Sequence, residues 1–358
     1  MNTLAADETW STETVIDTDE TLWSSQQVAE LPQVDGSDHL LTLSDGTILY
    51  WSKFPHQTMT ILRIDPQNGR VDYVQSPLPE PSWMIRVSTD WVLVAQPDDD
   101  ERKQAGCFAL WNPVTQTTRD VEGKAPSATT LATDQVGDQI HLLSNNRFAD
   151  VSCGFDYVMD QTNYGIFDIK TGQFSTPFHG VEDTEARHLI VQNKSETLVF
   201  GYGRANYFID LMRRDFSHVD RSKHDFEFRL SHGYDVECLG ADSQRALLVF
   251  GNYGYTDPKE YALMRWTRDQ ACFEVIGRWI GMRYLCSTIL NDGSSLIFCR
   301  QRTTGTVRMI SHVPGKHAAY MGRLEGMTPR AVFQSTRGDI YVKSAKSLHR
   351  ITAPESNL

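Results

Sequence analysis

Tyrosine, phenylalanine and carboxylate residues crowd together in four stretches of this chain. Residues 144–164 contain Phe148, Phe155, Asp156, Tyr157, Asp160 and Tyr164. Residues 221–234 contain His224, Asp225, Phe226, Glu227, Phe228 and His232. Two shorter stretches add Tyr202, Arg204 and Tyr207, then Tyr253, Tyr255, Asp257 and Glu260. Residues of these types support two chemistries. Aromatic rings with polar tips give large contact area at low entropic cost and dominate the hot spots of protein interfaces. The same rings make platforms for sugars, and paired acids about 5–10 Å apart cleave glycosidic bonds by acid–base chemistry. Candidate acids for the second chemistry are Asp156, Asp160, Asp235 and Glu237. The competing role is packing, in which the aromatics hold long segments against the body of the fold.

Other site chemistries find little support. His179, His188, His218, His224 and His232 include no pair at the i, i+4 spacing of a helical zinc site. Asp98-Asp99-Asp100-Glu101 lacks the alternating order of a calcium loop and reads as a solvated charge run. Gly201-Tyr202-Gly203 and Gly251-Asn252-Tyr253-Gly254 follow strand-like runs and open no helix, so they are turn glycines rather than phosphate loops. No Gly-x-Ser-x-Gly elbow is present. A Ser-His-Asp set assembled from distant segments stays open, because geometry and not chain order defines such triads. The expectation is no metal, no cofactor and no assignable catalytic residue.

Charge narrows the partners. The formal net charge is -12, and no basic stripe offers itself to phosphates, so nucleic acid is not an expected partner. Acidity favours solubility and suits a basic protein. The first residues, Met-Asn-Thr-Leu-Ala-Ala-Asp-Glu, have neither the basic nor the apolar region of a secretory signal. No run approaches the roughly 20 apolar residues of a spanning helix. The six cysteines include no Cys-x-x-Cys pair, which suits reduced thiols in a reducing compartment. A cytoplasmic monomer that touches no membrane is expected.

The elements that must position these residues come from a repeat. Short β-type runs end at Tyr50, Ala95, Leu143, Phe200, Phe250, Phe298 and Val342. Periods of roughly 40–50 residues with several strands each belong to β-propeller blades. The expected fold is therefore all-β: a seven-bladed β-propeller of four-stranded antiparallel blades, A to D from hub to rim. Blade bounds fall near 38–78, 84–123, 128–179, 186–220, 233–278, 282–323 and 328–353. In the fifth, 235–239, 246–250, 261–266 and 272–276 read as the four strands. Ser44-Asp45-Gly46, Asn291-Asp292-Gly293 and Thr336-Arg337-Gly338 supply A–B turns. The last repeat holds only three strands, 330–334, 339–343 and 347–351. The run Leu22–Leu31 is spare and can complete it, which predicts a ring closed by an N-terminal strand. Six blades plus a loose tail is the alternative. Residues 1–20 read as a flexible arm before one domain over 21–354.

The pattern resembles the β-propeller superfamily over about 330 residues. Ile166-Phe167-Asp168-Ile169-Lys170-Thr171-Gly172 is similar to the C–D hairpin of WD40-like and quinoprotein-like blades. The repeated Gly-His and Trp-Asp signature of WD40 proteins and the paired glycines of kelch repeats are absent, so no functional family within the superfamily is recognised. In a propeller the D–A and B–C connections share one face, and the four aromatic stretches are all of that class, on blades 3 to 5. The expected function is a non-enzymatic protein-binding scaffold or an inhibitor, for instance of a toxin. It would hold its partner through Phe155, Asp156, Tyr157, Tyr164, Tyr202, Arg204, Tyr207, Phe226, Tyr253 and Tyr255. The alternative is a carbohydrate-active propeller, a lectin or a glycoside hydrolase or lyase, with aromatic platforms and paired carboxylates.

Overall fold

The computed structural model describes residues 21–32, 38–52, 60–79, 81, 83–96, 107–123, 130–150, 157–182, 184–193, 196–203, 207–213, 234–241, 245–252, 260–267, 272–280, 282–313 and 318–353. The described elements are strands. After β1 (Leu22–Glu30), the first sheet is a meander of β2 (Asp38–Thr42), β3 (Ile48–Ser52), β4 (Thr60–Asp65) and β5 (Arg70–Gln75). The second repeats it with β6 (Trp83–Arg86), β7 (Val92–Gln96), β8 (Cys107–Asn112) and β9 (Thr117–Asp120). The third contains β10 (Glu122–Gly123), β11 (Thr130–Val136), β12 (Gln139–Asp150), β13 (Tyr157–Asp168) and β14 (Gln173–Glu182). The fourth contains β15 (Thr184–Asn193), β16 (Glu196–Gly203) and β17 (Tyr207–Arg213). The fifth contains β18 (Tyr234–Ala241), β19 (Arg245–Asn252), β20 (Glu260–Thr267) and β21 (Cys272–Ile280). Two further meanders follow: β22 (Met282–Ile289), β23 (Ser295–Gln301), β24 (Val307–His312) and β25 (Ala319–Leu324), then β26 (Ala331–Gln334), β27 (Ile340–Lys343) and β28 (Ser347–Thr352).

Burial explains why the second strand of several repeats is legible as an unbroken apolar run. Every residue of β7 is buried, as are Ile48–Trp51 of β3 and Ser295–Cys299 of β23. A strand covered on both faces needs no polar alternation. The fourth strand of the second sheet, β9, is exposed throughout and reads as polar. Turn chemistry sets the hairpins. Gly46 has φ 88°, a region open to glycine at no steric cost, while the Asp45 carboxylate accepts a 2.8 Å hydrogen bond from the Thr47 amide.

The hydrophobic core lies in the seams between consecutive sheets. Leu49, Trp51, Val92, Val94 and Trp111 join the first sheet to the second. Leu93, Ile140, Leu142, Phe167 and Phe174 join the second to the third. Leu263 packs with Met282, Ile297, Cys299 and Ile310 between the fifth sheet and the next. Leu296, Phe298, Met309, Val332 and Val342 join the last two meanders. Ile48, Tyr50, Leu62, Ile64, Tyr341 and Leu348 then join the last to the first, so the series closes on itself. Each such aliphatic or aromatic side chain contributes about 1.5–3 kcal/mol on burial.

The N-terminal strand makes this closure. β1 pairs antiparallel with β28 from Ser24↔Thr352 to Glu30↔Ser347, as the spare run at 22–31 predicts. It also pairs parallel with β25 at Leu22↔Arg323 and Trp23↔Leu324. That double pairing fuses β22–β25, β1 and β28–β26 into one eight-stranded sheet. The expectation of uniform, separate four-stranded blades is corrected here. The third sheet also gains β10, which pairs parallel with β14, and the fourth has three strands among the described residues. A second correction concerns residues 144–164, expected as a long loop. β12 and β13 pair without interruption from Gln139↔Asp168 to Asp150↔Tyr157. Most of the stretch is one long hairpin, held by the antiparallel ladder between the two strands.

Candidate functional site

The expected aromatic sector divides when placed on these strands. Phe155, Asp156, Arg204, Phe226, Tyr253 and Tyr255 lie outside the described residues. Tyr157 opens β13 opposite Asp150, and Tyr202 pairs with Tyr207 at the β16–β17 end. Asp160 stands in β13 opposite Arg147, while Asp235 and Glu237 stand in β18 opposite Gly251 and Val249. Tyr164 does not belong to an exposed patch. It is 2 % exposed, and its hydroxyl is hydrogen-bonded to Nδ1 of buried His141 on the neighbouring strand. Its position in the middle of β13, flanked by β12 and β14, makes it a core residue.

A concavity among the described residues lies elsewhere, on the turn side where the first and last sheets meet. It encloses about 380 Å³. One wall carries Asp45 from the β2–β3 turn and Arg63, Asp65, Arg70 and Asp72 from β4 and β5. The other carries Ser335, Arg337 and Asp339 from the β26–β27 turn, with Tyr341 beside them. The walls are tied together. Arg337 Nη2 donates to the Asp45 carbonyl at 2.9 Å, and Thr336 Oγ1 donates to the Ser44 carbonyl at 3.1 Å.

Local bonds fix the polar groups. Asp65 accepts from the Gln67 amide at 2.9 Å and from Asn68 Nδ2 at 2.7 Å, and Asn68 Oδ1 accepts from the Arg70 amide at 2.8 Å. Arg70 pairs with Asp72 at 2.9 Å, and Arg63 approaches Asp45 at 3.8 Å. Burial holds the Tyr341 phenol above its ordinary value, with Asp339 acting in the same direction, so it stays protonated at neutral pH. At the other end of the same seam, buried Lys343 places its ammonium 5.8 Å from the Tyr50 ring centre.

The residues of this cleft are scattered along the sequence and carry no local signature of a site. Asp45 and Arg337 were legible only as turn residues. They face each other because the ring closes, and no local spacing records a contact across most of the chain. Among the described residues no group of three or more His, Cys, Asp or Glu side chains is placed to hold a metal ion. Cys107, Cys286 and Cys299 form no disulfide, and burial pushes the Cys299 thiol up to about 12. No helix among the described residues is long and apolar enough to cross a membrane.

No protein-family model matches the chain, and no characterised protein matches it by sequence. Solved structures match its shape. The oligogalacturonate lyase of Vibrio parahaemolyticus is 9% identical with a TM-score of 0.59, and the alignment covers 96% of both chains. A streptogramin B lyase is 9% identical with a TM-score of 0.53, over 92% of this chain and 98% of that one. A puromycin-hydrolyzing peptidase of Mycobacterium tuberculosis is 10% identical with a TM-score of 0.57, over 93% of this chain and 56% of that one. The fold is thus of the β-propeller type, as the repeat and the resemblance imply. These neighbours also correct the first functional expectation. They are enzymes by name, two lyases and a peptidase, which counts against the expectation of a non-enzymatic scaffold.

Proposed function

We propose that this chain is a seven-bladed propeller enzyme that cleaves carbohydrate, by elimination or by hydrolysis. The observation that carries the reading is the end-to-end likeness to a lyase of oligogalacturonate. Function does not follow from fold alone, so the strand positions of the candidate residues are offered as the second support. Asp160 in β13 and Asp235 and Glu237 in β18 bring carboxylates to strands that flank the aromatic stretches. Tyr157, Tyr202 and Tyr207 supply rings on the same run of sheets. In a hydrolase two such acids would protonate the leaving oxygen and activate water or attack directly. In a lyase one would remove the proton beside a uronate carboxylate and another would protonate the departing oxygen.

Incubating the chain with neutral and uronate oligosaccharides tests this. Ultraviolet absorbance of an unsaturated product marks elimination, and new reducing ends without absorbance mark hydrolysis. Asp235→Asn and Glu237→Gln should lower turnover by about 10²–10⁴-fold with unchanged melting, the scale of general acid–base catalysis. Neither signal on any oligosaccharide would overturn the proposal.

A further inference from the structure

We infer that the cleft between the first and last sheets is a binding site for a neutral, hydroxyl-rich small ligand, a saccharide unit. This goes beyond the carbohydrate cleavage proposed above and does not rest on it. The cavity, about 380 Å³, has the size of a small-molecule site. Its charged lining of Arg63, Arg70 and Arg337 against Asp45, Asp65, Asp72 and Asp339 is close to balanced. That balance disfavours a strong anion or a cation. It suits hydroxyl groups, which both donate to carboxylates and accept from guanidinium groups. The planar side chains of Arg, Asp and Asn can each engage two adjacent hydroxyls, as forked donors and acceptors do elsewhere.

Pre-organisation supports a site rather than a chance surface dent. The Asp65–Arg70 segment is held by its own side-chain bonds, and Arg337 is anchored across the seam. Holding the polar groups in place before binding removes part of the ordering cost. Because the cleft bridges the two ends of the closed series, an occupant also stabilises closure.

Titration calorimetry and thermal melting on the full chain test this with galactose and glucose as neutral probes, galacturonate and inorganic phosphate as charged ones. A neutral sugar should bind saturably and raise the melting temperature. Arg70→Ala and Asp72→Ala lie on the exposed rim and should fold normally. Each should weaken binding about tenfold, the scale of a lost charge-assisted hydrogen bond. Asp235→Asn, which tests the catalytic proposal, should leave this binding intact. No saturable binding of a neutral sugar, tighter binding of phosphate or galacturonate, or unchanged affinity in both rim variants would each overturn the assignment.

Discussion

Asp292 shows how one carboxylate serves a turn. Its Oδ1 accepts from the Ser294 hydroxyl at 2.6 Å and from the Ser294 amide at 2.9 Å. The hydroxyl bond first, then the amide, hold its pKa below the ordinary 3.8. The folded state therefore releases this proton more readily than the unfolded chain. The resulting stability is fully present above about pH 4 and is lost as pH falls through the lower folded value. Asp168 does the same for the hairpin that resembles WD40-like blades, accepting from the Thr171 amide at 2.9 Å. Replacing Asp292 with Ala should cost roughly 0.5–1 kcal/mol at pH 7, since the group is exposed and the bonds compete with water. Urea unfolding at pH 7 and at pH 3 checks this. The deficit should shrink at the lower pH, and an equal deficit at both would show that the charge plays no part.

Strand β1 carries the closure, and the sequence alone points to it. A run of strand type preceded the first repeat, the last repeat lacked a rim strand, and the two needs answered each other. The approximate bounds of β18–β21 were legible for a different reason: runs rich in β-branched and aromatic residues mark those strands in the sequence. The fusion of two sheets was not, because it depends on two residues, Leu22 and Trp23, lying beside β25. The long β12–β13 hairpin was also hidden, since its outer half lacks the apolar alternation that marks a strand. Trp23 shows what β1 does for packing. It is 8% exposed within the core of the last two meanders, and its indole donates to the Met321 carbonyl at 3.2 Å. Gly322 lies so near that a Cβ there would meet the Thr21 carbonyl at 2.1 Å. Trp23→Ala should cost about 3 kcal/mol or more, as large core truncations do. A melting temperature unchanged by that substitution would show that β1 is ornamental.

Closure also governs the molecule as a whole. In an open stack of repeats each unit touches only its neighbours, and damage at one end frays that end. Here the first and last sheets share a core of Ile48, Tyr50, Leu62, Ile64, Tyr341 and Leu348, and Arg337 and Thr336 reach across to the Asp45 and Ser44 carbonyls. An end that opens loses a seam on each side and leaves strand edges unpaired. Ile48, wholly buried at this junction, tests the coupling. Ile48→Ala should cost about 2–5 kcal/mol. More tellingly, the loss should appear in one cooperative transition, seen at the same denaturant concentration by tryptophan fluorescence and by circular dichroism. If the variant instead sheds its first or last sheet in an early separate step while the rest melts at the parent midpoint, the seam is a passive contact. The closed ring would then be a series of sheets that happens to meet.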